Sequence, residues 1–120
     1  MRLNEVTYTD AVPVEGYGPG FFRVGGNVFD GAITVLPTGV ASWGGLQDLS
    51  PFEDQEIDVL FVGMGAEIAH APQDFRQALE ARGIGVEVMS SPAACRTYNV
   101  LLSEGRRVGL ALLPVIAQAE

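Results

Sequence analysis

One cysteine followed directly by an arginine is the pair of residues best suited to chemistry. The stretch SSPAACRTYN, residues 90–99, contains Cys95, the only cysteine, near the start of a predicted helix. The N–H groups and the dipole at a helix start favour negative charge, so they would lower the pKa of this thiol below about 8.5. Arg96 would add to the effect if its guanidinium turned toward the sulfur. The alternative is that Cys95 is a small apolar residue packed under the helix.

The residues that follow suggest a second chemistry, the binding of an anion. Arg96, Thr97 and Asn99 offer a guanidinium, a hydroxyl and an amide close to a helix start, and these groups suit phosphate or carboxylate. The alternative is that Arg96 is a solvated surface residue and Asn99 fastens a neighbouring loop. His70 is the only histidine, and it pairs with Cys95 only if two separate loops meet.

Both hypotheses need a cleft, and the sequence predicts where it would lie. Ligands of an open parallel sheet bind outside the carboxyl ends of the strands. Two segments leave the predicted sheet there: GMGAEIAHAP after the strand that ends at Val62, and SSPAACR after the strand that ends at Met89. We expect Gly63 and Gly65 to floor the cleft, and the helix with Ser91 as its N-cap to point into it.

The glycine pair of this loop resembles the start of a dinucleotide-binding motif but does not complete it. The third glycine of Gly-x-Gly-x-x-Gly would fall at position 68, which is isoleucine, and the next predicted helix begins too late. The glycines are better explained as a close turn at the end of a strand. We therefore predict no cofactor.

The first half of the chain is typical of an antiparallel β meander. Short apolar segments between Phe21 and Trp43 alternate with turn residues such as Gly25-Gly26 and Asp30-Gly31. Such pairs between strands favour hairpins, because hairpin turns need a positive φ. A brief helical turn, with Ser50 as its cap, is predicted to follow.

The second half has the pattern β-α-β-α-β. Predicted strands cover residues 57–63, 85–89 and 107–113, and predicted helices cover residues 72–82 and 92–104. Gly83 and Gly105 follow the helices, as expected for C-terminal stops. Strands joined by single helices run parallel. The chain is therefore predicted to be α/β, with a mixed central sheet.

Length and composition limit the classes of function that the chain can have. We expect the 120 residues to form a single domain, 1–120, with residues 1–20 and 115–120 less regular. The net charge of −8, with seven arginines and no lysine, argues against binding to nucleic acid or anionic lipid. One cysteine and one histidine are too few ligands for a structural zinc site, so no metal is expected.

No membrane insertion or secretion is expected. The longest apolar run, residues 108–117, is about half the length of a membrane span and contains Pro114. The first ten residues lack the apolar core of a secretory signal. A cytoplasmic location with a reduced thiol is therefore predicted.

The chain resembles a known family over nearly its whole length, from about Phe21 to Pro114. The run GIGVEVMSSPAACRTYNVLLSEGRRVGLALLP, preceded by IDVLFVGMG and GVASW, is similar to the small α/β family that includes the third assembly factor of mitochondrial complex I. The most specific part is Ala94-Cys95-x-Thr97-x-Asn99. The resemblance implies a three-layer α/β fold, an assembly role through protein contacts, and no catalytic residues to carry over.

These observations favour a non-enzymatic interaction protein that resembles a respiratory complex I assembly factor. The alternative is a small-anion binder or a thiol-dependent enzyme that uses the predicted cleft. Its candidate ligand-binding residues are Gly63, Gly65, Ser91, Cys95, Arg96, Thr97 and Asn99, and its candidate nucleophile is Cys95. Protein partners are expected, respiratory-complex subunits or other assembly factors among them, and a homodimer through an exposed strand edge is compatible with either function.

Overall fold

A computed structural model describes residues 5–7, 11–67 and 69–116 of the chain. Strands, helices and one short 3₁₀ helix alternate along these residues. In chain order they are β1 Glu5–Thr7, β2 Val14–Gly18, β3 Phe21–Val24, β4 Asn27–Asp30, β5 Ile33–Leu36, β6 Gly39–Ser42, the 3₁₀ helix Ser50–Phe52, β7 Val59–Met64, α1 Gln73–Glu80, β8 Gly85–Met89, α2 Ser91–Ser103 and β9 Val108–Leu113.

The central sheet is mixed, as predicted. Its six strands lie in the order β1-β6-β5-β9-β7-β8. The strand β7 pairs in parallel with β8 on one side and with β9 on the other, so Val59 faces both Gly85 and Val108. The antiparallel strands join at β5, where Ile33 pairs with Leu112 of β9. The predicted β-α-β-α-β half is confirmed.

The predicted hairpins are confirmed, but their strands divide between two sheets. The turn Gly25-Gly26, with φ of 59° and 80°, joins β3 to β4. After β4 the chain turns at Gly31, with φ of 79°, and enters the central sheet as β5. The strands β2, β3 and β4 form a separate three-stranded sheet. A turn signal specifies the local reversal only, because the choice of sheet depends on distant packing.

Two strands precede Phe21, in the stretch expected to be less regular. The strand β1 pairs with β6, and β2 pairs with β3. The sequence VEGYG of β2 contains two glycines, which weaken the strand pattern. Of the other stretch expected to be less regular, residues 117–120 lie outside the described residues.

The central sheet separates two hydrophobic cores, which gives the predicted three layers. On β7, Leu60 and Val62 face one core, in which the 3₁₀ helix and α1 also take part. Phe61, between them, faces the other core, which contains α2 and the three-stranded sheet. A strand turns successive side chains to opposite faces, so a continuous apolar run such as that of β7 implies cover on both sides.

The helices α1 and α2 end close to the predicted glycines, but Ser50 does not cap the 3₁₀ helix as predicted. Gly83 and Gly105 follow α1 and α2 with φ of 84° and 80°. Ser50 does not cap the 3₁₀ helix, because it is the first residue of that helix, and its hydroxyl donates to Asp48 Oδ1 at 2.6 Å. Among the described residues, no helix is long and apolar enough to cross a membrane.

Candidate functional site

The helix α2 begins one residue earlier than predicted, which changes its cap. Ser90 has an extended backbone, with φ of −65° and ψ of 157°, and its Oγ accepts a hydrogen bond from the Ala93 N–H at 3.3 Å. Ser90 is therefore the N-cap, and the prediction that Ser91 holds this position is wrong. Ser91 is the first residue of the helix and is fully buried.

Ser91 ties the start of α2 to the ends of two strands. Its Oγ accepts from the Gly65 N–H at 2.9 Å and donates to the Leu113 carbonyl at 2.6 Å. Its own N–H donates to the Gly65 carbonyl at 2.7 Å. A buried hydroxyl that makes both kinds of bond is fully satisfied and fixes the position of the helix.

The predicted floor of the cleft is in direct contact with this serine. A Cβ atom placed on Gly63 would lie 2.5 Å from Ser91 Oγ and 2.7 Å from Ser91 Cα. Gly65 has a φ of 94°, which favours glycine. The structure brings Gly63, Gly65 and Ser91 together, and the space that the sequence suggested for a ligand is occupied by the helix itself.

The start of α2 has no free N–H group to offer an anion. The Ser91 N–H donates to Gly65, and Pro92 has no N–H. The N–H groups of Ala93 and Ala94 both donate to Ser90, one to the hydroxyl and one to the carbonyl. Anion binding at helix starts depends on unpaired N–H groups, so this part of the anion hypothesis is wrong.

Cys95 lies under α2 in the hydrophobic core, with 5% of its surface exposed. Burial raises the pKa of the thiol from its usual 9.0 to about 12, although Arg96 acts in the opposite direction. The expected lowering of this pKa is wrong, because the cost of burying a thiolate exceeds the help of the neighbouring charge. Cys95 instead packs as a small apolar residue under the helix, in agreement with the alternative interpretation.

His70 and Cys95 lie on opposite sides of the central sheet. His70 is exposed and lines a cavity with Arg76 of α1 and with Val88, which packs against the α1 core. Cys95 belongs to the α2 core. The hypothesis of a Cys95–His70 pair therefore has no geometric basis, because the sheet stands between the two side chains.

Arg96 and Thr97 lie on the outer surface of α2. Together with Val100 and Leu101 they line a shallow groove of about 270 Å³. Val100 is 56% exposed. The groove is separate from the contact between Ser91 and the two glycines, so the predicted ligand-binding residues do not converge on one cavity.

Asn99 fastens α2 to the three-stranded sheet, which agrees with the second interpretation of this residue. Its side-chain amide accepts from the Val14 N–H at 2.9 Å and donates to the Val14 carbonyl at 2.8 Å. The amide thereby pairs with the edge of β2 as a neighbouring strand would. Tyr98 adds a bond from its hydroxyl to the Val12 carbonyl at 2.8 Å. The motif that contains these residues serves the packing of α2.

The cavity beside β8 was not predicted from the sequence. It has a volume of about 360 Å³ and is lined by residues of the loop before α1, by Arg76 and by Val88: these are Ala69, His70, Ala71, Arg76 and Val88. The strand pattern of residues 85–89 was the available signal, but the sequence does not reveal that β8 is the last strand of the sheet. The position of β8 is a property of the topology alone.

Comparison with known proteins supports the resemblance. Residues 14–113 match the family model described as "Protein of unknown function (DUF498/DUF598)". A protein of Rhodobacter capsulatus, described as uncharacterized, is 46% identical over 117 residues, which cover 96% of this chain and 94% of that protein. NADH dehydrogenase (ubiquinone) 1 alpha subcomplex assembly factor 3 of Rattus norvegicus is 33% identical over 95% of this chain, which spans 66% of the length of the rat protein.

A solved structure agrees with the fold. A crystal structure described as an outer membrane protein from Bartonella henselae superposes with a TM-score of 0.80 and 34% sequence identity. The alignment covers 90% of this chain and 98% of the Bartonella chain. The arrangement of sheets and helices described above is therefore shared with a protein of similar length.

Proposed function

Because the chain belongs to the DUF498/DUF598 family and is related to a mitochondrial assembly factor, we propose that it is a non-enzymatic interaction protein in the assembly of respiratory complex I. The observation that carries the proposal is the extent of that relationship, 33% identity over 95% of this chain. The rat factor is longer, so the proposal concerns the part of its length that this chain spans. The proposal also places the chain in the cytoplasm.

The geometry around α2 supports an interaction role over the thiol-dependent alternative. The Cys95 thiol is buried and has its pKa raised to about 12, so little thiolate exists near neutral pH. His70, which would have to act as its base, lies across the sheet. A nucleophilic mechanism needs the nucleophile and its base within hydrogen-bonding distance.

The test is a deletion of the gene in its own organism, followed by measurement of assembled complex I on native gels and of NADH oxidation in membranes. We expect the deletion to lower both, and both the wild-type chain and Cys95→Ala to restore them. Tagged protein isolated in mild detergent should bring down complex I subunits or other assembly factors. An unchanged amount of complex I after deletion would reject the proposal.

The Cys95→Ala complementation separates the two functions. An interaction protein keeps its activity without the thiol, because alanine fits where a small apolar side chain packs. A thiol enzyme loses its activity completely. Failure of a folded Cys95→Ala protein to restore complex I would therefore restore the enzyme hypothesis.

A further inference from the structure

The strand β8 is the last strand of the central sheet, and no other strand among the described residues pairs with its outer edge. The Gly85 N–H donates to the Asp58 carbonyl at 2.8 Å, on the side of β7. Backbone groups of successive residues in a strand point to opposite sides, so Val86 and Val88 direct theirs away from β7. An edge of this kind can pair with another strand.

A contact from α1 confirms the direction of these groups. Arg76 Nη1 donates to the Val86 carbonyl at 3.0 Å, which places that carbonyl on the outer edge. Within the part of the chain that the structure describes, the Val86 N–H and both backbone groups of Val88 have no partner. The edge thus offers two donors and one acceptor in the spacing of a strand.

The cavity of about 360 Å³ lies beside this edge. Val88 forms one of its walls, and the loop of Ala69, His70 and Ala71, with Arg76, forms the others. These three loop residues therefore lie across the cavity from β8 instead of covering it. A strand added to β8 would run about 4.8 Å from it and would have room beside Val88 for a side chain.

We propose that the outer edge of β8 is the docking site for an extended segment of a partner protein, which adds to the central sheet as a further strand. The segment places an apolar side chain beside Val88, in the cavity, and a basic side chain opposite Glu87 on the other face. The proposal rests on the proposed function, because it supplies the surface through which an interaction protein would act. Strand addition of this type combines backbone hydrogen bonds for affinity with alternate side chains for specificity.

Charge decides between a basic partner and a second copy of the chain. Glu87 is exposed on β8, and the chain carries a net charge of −8. Two copies could pair antiparallel through the outward backbone groups of Val86 and Val88 in both chains. That register would place one Glu87 directly opposite the other. Like charges in that position destabilise a strand pair, whereas a basic residue there stabilises it.

The test places the photo-crosslinking residue p-benzoylphenylalanine at the position of Glu87 and, as a control, at the position of Glu104, which follows α2. Both side chains are exposed, so neither replacement disturbs the core. The replacement at position 87 removes one charge but leaves the outward backbone groups of Val86 and Val88, which hold the segment. After irradiation in the organism of origin, mass spectrometry identifies the crosslinked peptides. We expect crosslinks from position 87, and not from position 104, to a segment of another protein in which basic and apolar residues alternate.

A pair of variants in the position-87 crosslinking protein tests the backbone pairing. Val88→Pro removes an outward N–H without removing a bond to β7, and a proline is tolerated on that side of an edge strand. Val88→Ala loses the same packing but keeps the N–H. We expect crosslinking to fall about fivefold with proline relative to alanine. Melting curves verify that both variants fold, and equal yields from two folded variants would overturn the proposal.

Crosslinking from position 87 or 104 without a substitution at Val88 decides the question independently of these variants. Crosslinks to a second copy, to an acidic or helical segment, from position 104 only, or from neither position would each overturn the proposal. A failure of the proposed function would be seen in a different experiment, because deletion of the gene would then leave the amount of complex I unchanged. Crosslinks from position 87 to an alternating basic segment of a protein unrelated to complex I would support the docking site and reject the assembly role.

Discussion

The contact between Gly63 and Ser91 makes a sharp prediction for stability. In Gly63→Ala the new methyl group would lie 2.7 Å from Ser91 Cα and 2.8 Å from Leu112 Cδ2. The first of these is a backbone atom, so a change of rotamer cannot relieve the clash, and α2 must move away from β7. Overpacking of this kind costs about 1–3 kcal/mol.

Movement of α2 also weakens the bonds that Ser91 makes to Gly65 and Leu113. Each is worth about 1 kcal/mol, so the free energy of unfolding of Gly63→Ala should fall by at least about 3 kcal/mol in total. For a chain of this size, that loss lowers Tm by about 12 °C. Thermal melting by circular dichroism, with urea denaturation as a second measurement, would detect it.

Gly16→Ala is the matched control, since it makes the same chemical change in a strand. A Cβ atom on Gly16 has no neighbour within 4 Å, and its φ is not positive. We expect this variant to be neutral or more stable by up to about 1 kcal/mol. A decrease in Tm of less than about 4 °C for Gly63→Ala, or an equal decrease for both variants, would refute the argument that α2 packs closely against Gly63.

Three further predictions concern α2. Alkylation of Cys95 by iodoacetamide at pH 7.5 should be about 100-fold slower in the folded protein than in urea, and equal rates would contradict its burial. The pKa of Cys95 is raised to about 12 in the folded state, so the unfolded state loses this proton first as the pH rises. The thiol therefore leaves the free energy of unfolding unchanged below about pH 9 and lowers it above that pH, by about 1.4 kcal/mol at pH 10. Urea denaturation of Cys95→Ala should lack this loss. Asn99→Ala should lower the free energy of unfolding by about 2 kcal/mol in the same assay, because it removes two hydrogen bonds to Val14. Thr97→Ala, on the outer surface, should change it by no more than about 0.5 kcal/mol. Equal losses in the two variants would show that the Asn99 bonds do not stabilise the fold.

The candidate site shows how far local patterns reach. The sequence located the helix that contains Cys95 and the glycines after the preceding strand, because apolar periodicity and glycine turns act over a few residues. It could not tell whether those glycines leave room for a ligand or for a side chain. Ser91 lies 26 residues from Gly65, and only the packing of α2 on β7 makes them neighbours.

The sequence by itself determined the helices and the strands from Phe21 onward, but not β1 and β2. The turns at Gly25-Gly26, Gly83 and Gly105, and the apolar runs of the parallel strands, were predicted because backbone conformation and side-chain alternation are local properties. The tertiary structure decided which sheet each strand joins, the burial of Cys95 and the open edge of β8. These depend on contacts between residues far apart in the chain, whose energies no short stretch of sequence contains.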